Sequence, residues 1–362
     1  MSYGSTAFLR WANYWFGRVE HNLAKGGLPG VPWAELGLAE WSGERGSLHE
    51  LRAGIARFNG VSPQEVVPAL GTTHALWLAL AARLEPGDEV VVESPGYEPL
   101  WRIPQGLGAR VVRLPRMAED AHRLRPEELS SRLGPRTRVV VITSPHNPSG
   151  ARSSRADLQA LARCCQDVGA LLLVDEVYGP CGSALGADGR WGATARTVAP
   201  NVVTVGGLAK AYGLGALRVG WMLADPALVQ VAEELVESTL QELPPVQIAL
   251  ATRVLDELPR LSVATAALES DGRREQVAAW VEARPRLSWH EPQGVPFGFV
   301  RMAGVEDLSV ILEGGAERHG VLVAPGSFFG RPDAFRLGWS LAPERLPEAL
   351  RRLDRVLGLG PG

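Results

Sequence analysis

Between Leu48 and about Trp221 the chain alternates segments of helical periodicity with short runs that are apolar at nearly every position: Glu89 to Val92, Ala109 to Val112, Val139 to Ile142, Leu171 to Val174 and Val202 to Val205. A strand with one face in water alternates apolar and polar residues, whereas a continuous apolar run suits a strand buried on both faces. Helices between such strands, predicted at Thr73 to Leu84 and Asp157 to Val168, imply right-handed crossovers in a mostly parallel sheet. The expected fold is α/β, a large domain whose mostly parallel central sheet is flanked by helices. Ligands of such sheets gather beyond the carboxyl ends of the strands.

Beyond Asp225-Pro226 the pattern changes to long helical segments interrupted at Pro244-Pro245. Pro285 to Trp339 then reads as short strands with Gly/Pro turns, and the last twenty or so residues read as helix. A smaller α+β lobe is expected there, and 362 residues are enough for two lobes. Near the N-terminus Phe8, Trp11 and Trp15 recur at helical spacing, which predicts a short amphipathic helix packed on the body or on a partner subunit. The Gly/Pro-rich stretch from Gly26 to Pro32 reads as a loop. A formal charge of −3 gives no global attraction to nucleic acid or an anionic membrane, so a small-molecule partner is expected. Cys164 and Cys165 are adjacent and could bridge only with strain, which argues for a reducing compartment. No secretory leader pattern is visible, and the longest apolar run, Ala75 to Ala82, is far short of the roughly 20 residues of a membrane span. A cytoplasmic protein is expected.

Several residues that can carry chemistry fall at strand ends. Asp175 closes the apolar run Leu171 to Val174, and a carboxylate there is costly unless a cation or donors meet it. A protonated pyridine nitrogen would be such a cation, and Tyr178 stands three residues on. A metal site is the competing reading of Asp175-Glu176, but the chain has no Walker sequence, no G-x-G-x-x-G opening a helix, and no histidines at ligand spacing. Asn147, in Asn147-Pro-Ser-Gly150, offers an amide that donates and accepts, or simply an Asx turn. Gly71-Thr72-Thr73 leads into a helix, where free amides and hydroxyls suit phosphate, although both threonines also suit capping. Tyr97 lies on a turn after a strand. Lys210 follows the last parallel run among Gly, Leu, Ala and Tyr, and a desolvated lysine has a lowered pKa and forms imines. Arg218 offers a fork for phosphate and Arg336 one for a carboxylate, although lone arginines are more often surface ion pairs.

As an ordered set these residues resemble the class I/II aminotransferases of fold-type I, which depend on pyridoxal 5'-phosphate (PLP). The resemblance is carried by Leu51-Arg52, Glu85-Pro-Gly-Asp88, Glu93-Ser-Pro-Gly-Tyr97, Ser144-Pro-His-Asn-Pro-Ser-Gly150, Val174-Asp-Glu-Val-Tyr178, Ala209-Lys-Ala-Tyr-Gly213, Leu217-Arg-Val-Gly-Trp221, Val323-Ala-Pro-Gly-Ser-Phe328 and Phe335-Arg-Leu-Gly338. It implies that Lys210 forms the aldimine with PLP and later shuttles the proton, and that Asp175 pairs with the pyridinium. Asn147 and Tyr178 would hold the ring oxygen, Tyr97 would stack on the ring, and Thr72, Thr73 and Arg218 would bind the phosphate. Arg336 with Asn147 would clamp the substrate carboxylate. The resemblance also divides the chain into an arm and substrate-covering loop (1–40), a large PLP-binding domain (41–245) and a small domain (246–362), and implies a homodimer.

The chain departs from the family pattern in three places. Ser or Thr is usual three residues and one residue before the lysine, where this chain has Gly207 and Ala209. Weaker cofactor retention is expected unless another group substitutes. Trp41 stands where a tyrosine commonly reaches a neighbour's phosphate, and Lys25 lies in the loop that resembles the substrate-covering segment. The function implied is transfer of an amino group between an amino acid and a 2-oxo acid. The alternatives are a PLP-dependent lyase or cyclase on the same fold, or a non-catalytic PLP-binding relative.

Overall fold

In the computed structural model the described residues are 4–30, 32, 34, 45–183, 185–186, 189–269 and 271–360. Trp41 lies outside them. The chain begins with α1 (Ala7–Trp15) and β1 (His21–Asn22), followed by α2 (Leu48–Asn59), β2 (Val66–Ala69), α3 (Thr72–Ala81), β3 (Glu89–Ser94), α4 (Pro99–Gly106), β4 (Arg110–Pro115), α5 (Pro126–Ser130), β5 (Thr137–Thr143), α6 (Arg155–Asp167), β6 (Leu171–Asp175), β7 (Val202–Gly207) and β8 (Gly220–Leu223). Then come α7 (Pro226–Leu240), α8 (Pro245–Glu269), α9 (Arg273–Glu282), β9 (Leu287–Ser288), β10 (Phe297–Met302), α10 (Ser309–His319), β11 (Val321–Leu322), β12 (Ala324–Pro325), β13 (Ala334–Gly338) and α11 (Leu346–Leu357).

A seven-stranded sheet of order β2-β8-β7-β6-β5-β3-β4 forms the large lobe. Neighbouring strands from β7 to β4 pair in parallel, and only β8 runs opposite to its neighbours. Each apolar run predicted as a strand is one. Val90 to Val92, Val139 to Ile142 and Leu172 to Val174 are buried because helices cover both faces of the sheet. Helix ends follow local chemistry: the Ser47 hydroxyl accepts from the Glu50 amide at the start of α2, and Ser154 with Asp157 forms a capping box at α6. Helix α8 packs along α2, and its residues as far as Leu261 share one apolar cluster with Trp221.

The smaller lobe has an antiparallel sheet of order β12-β13-β10-β9, with α9, α10 and α11 packed around a common core. Helix α10 lies inside the stretch read from sequence as short strands. Gly314 and Gly315 weaken its helical signal, yet a Cβ on Gly315 would sit 2.4 Å from Val356 Cγ1, so the glycine permits close approach to α11. The N-terminal segment joins this lobe. β1 pairs in parallel with β11, and Phe8, Trp11 and Ala12 pack against Phe299, Phe329 and Ala334. Among the described residues Cys164, Cys165 and Cys181 form no disulfide. Among the described residues no helix is long and apolar enough to cross a membrane, and no cluster of side chains could hold a metal ion.

Candidate active site

The carboxyl ends of β5, β6 and β7 open onto a cavity of about 450 Å³ between the lobes. Thr72, Thr73, Tyr97, Asn147, Asp175, Tyr178, Lys210, Arg218 and Arg336 all line it, so every site residue anticipated from sequence reaches one place.

Helix α3 starts at one end of the cavity. Its N-cap is Gly71, with φ of 80° and no side chain capping the first turn, so Thr72 and Thr73 are not the caps that the sequence allowed. The first amides are left for an anion, and the helix dipole favours one there. Arg218, held in the left-handed region with φ of 53°, lies over this turn, and its Nη2 is 3.4 Å from the Leu70 carbonyl. A Cβ on Gly71 would come within 2.6 Å of the same nitrogen. An exposed guanidinium above free helix amides fits a phosphate monoester.

Asp175 ends β6 and is 5 % exposed, and its Oδ1 accepts from the Val177 amide at 3.0 Å. Burial raises its pKa to about 7, the Val177 hydrogen bond and the Lys210 charge oppose the rise, and the Glu93 charge adds to it. A carboxylate so desolvated gains from a facing cation such as a protonated ring nitrogen. Burial lowers the Lys210 pKa to about 8, the charges of Arg336 and Arg218 add to the shift, and Asp175 opposes it. A lysine that loses its proton near neutrality is a competent amine nucleophile.

Arg336 on β13 is buried, donating from Nη1 to Asn147 Oδ1 (2.7 Å) and from Nη2 to the Ala24 carbonyl (2.9 Å). Among the described residues its Nε has no hydrogen-bond partner, so the fork retains a donor. Its guanidinium carbon lies 5.1–5.6 Å from the ring centres of Phe8, Phe297 and Phe329. The segment after β1 crosses the mouth: Leu28 N donates to the Lys210 carbonyl and Ser340 Oγ to the Gly27 carbonyl. Lys25 is exposed and does not line the cavity.

Sequence reasoning did not identify the support beneath Asn147. Glu93 pairs with Arg116 at 2.8 Å, and both side chains are fully buried. Thr143 donates to Glu93 Oε1 through its hydroxyl (2.5 Å) and its amide (3.0 Å), and its Oγ1 accepts the Asn147 amide (3.0 Å). His146 Nε2 faces the Pro95 carbonyl at 2.8 Å and must carry the proton, leaving Nδ1 to accept from Ser149 Oγ at 2.6 Å. Burial holds His146 neutral by pushing its pKa well below the usual value. The Glu93 signal was available, an acid closing an apolar strand, but its partner is distant in sequence. The apolar wall of α1 was visible only as a helical stripe.

A family model described as aminotransferase class I and II matches residues 41–353. The arginine–pyruvate transaminase AruH of Pseudomonas aeruginosa is 34% identical over 312 residues, covering 84% of this chain and 77% of that protein. Capreomycidine synthase of Streptomyces vinaceus is 31% identical over 315 residues, covering 85% and 78%. A solved structure of Thermus thermophilus aspartate aminotransferase with maleate matches with a TM-score of 0.85 at 26% identity, over 98% of this chain and 97% of that one. The chain belongs to the class I and II aminotransferases, enzymes that depend on pyridoxal phosphate.

Proposed function

We propose that this cavity transfers an amino group between an amino acid and a 2-oxo acid, with Lys210 as the residue that binds the cofactor and moves the proton. The observation that carries the assignment is the pairing of a desolvated Lys210, pKa about 8, with a desolvated Asp175, pKa about 7, in one cavity. When bound, PLP supplies an electron sink that accepts the pair released when a bond at the substrate Cα breaks. The α3 amides, Thr72, Thr73 and Arg218 would hold the phosphate, and Tyr97 would pack against the ring. Asp175 would keep the ring nitrogen protonated, while Asn147 and Tyr178 would donate to the ring oxygen. Arg336, oriented by Asn147, binds the substrate carboxylate and fixes which Cα bond faces the ring. Lys210 Nζ would take the Cα proton and deliver it to the cofactor carbon on the far side of the shared nitrogen. The segment over Lys210 excludes water from that transfer.

The relatives are named for arginine, for aspartate and for capreomycidine formation, so a second reading on the same residues is elimination or cyclisation. The visible spectrum separates them. An amino donor added without acceptor converts the bound cofactor stoichiometrically to its amine form if the protein transaminates, whereas a lyase releases ammonia and a 2-oxo acid catalytically. A Lys210→Ala variant with full turnover would remove the assignment. The reading includes a homodimer in the cytoplasm, supported by the family resemblance and by three cysteines that form no disulfide among the described residues.

A further inference from the structure

All three polar atoms of Thr143, the last residue of β5, are taken up by one buried ion pair. Glu93 Oε1 accepts the Thr143 hydroxyl (2.5 Å) and amide (3.0 Å), and Arg116 Nη2 donates to the Thr143 carbonyl (3.0 Å). The other guanidinium nitrogens of Arg116 are engaged as well, Nε 2.8 Å from Glu93 Oε2 and Nη1 donating to the His122 carbonyl (3.1 Å). Glu93, Arg116 and Thr143 are at most 2% exposed, so these contacts are complete within one chain and a second subunit adds nothing to them.

The pair reaches three groups assigned to the cofactor ring. Glu93 and Tyr97 bracket one turn, Ser94-Pro-Gly96. Thr143 lies beside Asp175 in the register of β5 and β6, and the Ser144 amide donates to the Asp175 carbonyl (3.0 Å). Thr143 Oγ1 accepts the Asn147 amide (3.0 Å), and Asn147 Oδ1 takes the Arg336 Nη1 donor (2.7 Å). A hydroxyl has one proton, and an ionised carboxylate only accepts. Glu93 therefore takes the Thr143 proton and leaves the oxygen's lone pairs to Asn147. Burial raises the pKa of Glu93, and the Arg116 charge and the Thr143 donors oppose that rise. Fold stability alone is a weak account of the pair, since apolar side chains of similar volume stabilise a core as well or better.

We propose that the Glu93–Arg116 pair positions the reacting groups, acting through the Thr143 hydroxyl to hold Asn147 where its amide meets the ring oxygen and its Oδ1 aligns the Arg336 fork. This rests on the aminotransferase reading for what Asn147 meets. Thr143 lines the cavity, whereas Glu93 and Arg116 lie behind it and act through Thr143.

The test deletes the hydroxyl in the PLP-loaded protein. Thr143→Val keeps the branched shape and the ion pair, and Thr143→Ala is carried in parallel because it sets no extra methyl against Glu93. A donor to the ring oxygen favours its deprotonated form, so both variants are expected to raise the pH midpoint of the visible cofactor absorbance by about one. Acetate, a carboxylate with no side chain, is expected to bind ~10-fold more weakly, read from the same absorbance. Thr143→Ser, which returns the hydroxyl, is expected to restore both values. A hydroxyl deletion that loads PLP and keeps the parent midpoint and acetate affinity overturns the proposal. An equal change in Thr143→Ser also overturns it, since the effect would then be one of packing. Loss of PLP from both deletions overturns it too, because the hydroxyl would then serve cofactor retention rather than Asn147. If no amino acid converts the cofactor of the parent while the deletions still move midpoint and acetate affinity, the aminotransferase reading fails and the positioning role stands.

Discussion

At Lys210 and Asp175 burial moves two pKa values toward each other, to about 8 and about 7. The lysine shift sets a pH dependence. Below pH 8 the ammonium has no lone pair, so uptake of PLP by the cofactor-free protein should quicken roughly tenfold per unit as pH rises toward 8, then level off above about 9. Stopped-flow absorbance against pH checks this, and a rate flat from pH 6 to 9 would contradict the desolvated lysine. The Asp175 shift is a stability statement. Its folded pKa is raised above the unfolded value near 4, so the folded state holds the extra proton, and the stability gained at low pH is lost as pH rises through about 7. Asp175→Asn removes that loss. The cofactor-free variant should melt a few degrees higher than the parent at pH 8, while its donor-driven conversion falls ~100-fold or more. Calorimetry and the spectral assay test the two halves. A strand-end carboxylate and a lysine among small apolar residues were legible in the sequence. The meeting of Arg336 with Asn147, a 2.7 Å bond across almost two hundred residues, was anticipated only through the family resemblance, because it depends on how the lobes meet.

At the scale of elements, the glycine at 207 and the alanine at 209 have different explanations. β7, β8 and the first turn of α3 press together at Gly207, where a Cβ would lie 2.8 Å from Thr72 Oγ1 and 2.9 Å from the Val219 carbonyl. The Thr72 hydroxyl donates instead to the Gly206 carbonyl at 3.0 Å. A hydroxyl at 207 therefore cannot be restored without parting α3 from the sheet, whereas Ala209 lines the open cavity. Ala209→Ser should tighten PLP binding ~3- to 10-fold by adding one charge-assisted hydrogen bond, and Gly207→Ser should weaken it and lower the melting temperature. Equilibrium dialysis and thermal melts distinguish the pair, and tighter binding by Gly207→Ser would refute the steric account. The same scale explains what pattern reading recovered. Continuous apolar runs identified the buried parallel strands because helices cover both faces. Helix α10 escaped because Gly315 answers to the packing of α11 rather than to helix propensity.

Across the whole molecule, the N-terminal segment ties the lobes together over the cavity. β1 extends the small lobe through β11, Gly338 N donates to the Leu23 carbonyl, and Leu28 N reaches the Lys210 carbonyl of the large lobe. Composition marked Gly26 to Pro32 as a loop, but its route depends on pairing with residues some three hundred positions away, which no local signal encodes. Gly26 sits where the two lobes and this segment come closest: a Cβ there would lie 2.8 Å from the Tyr178 hydroxyl and 3.2 Å from the Arg336 guanidinium carbon. Those are the groups assigned to the ring oxygen and the substrate carboxylate, while the phosphate end around Gly71 and Arg218 is formed by other segments. Gly26→Ala should therefore raise the KM for the amino donor by ~10-fold or more, because the segment must lift or Arg336 must turn from its alignment with Asn147. The PLP content of the purified protein should stay near that of the parent. Donor titration of the half-reaction, together with cofactor content by absorbance, tests this. Loss of PLP with an unchanged KM would place the segment over the cofactor rather than over the substrate.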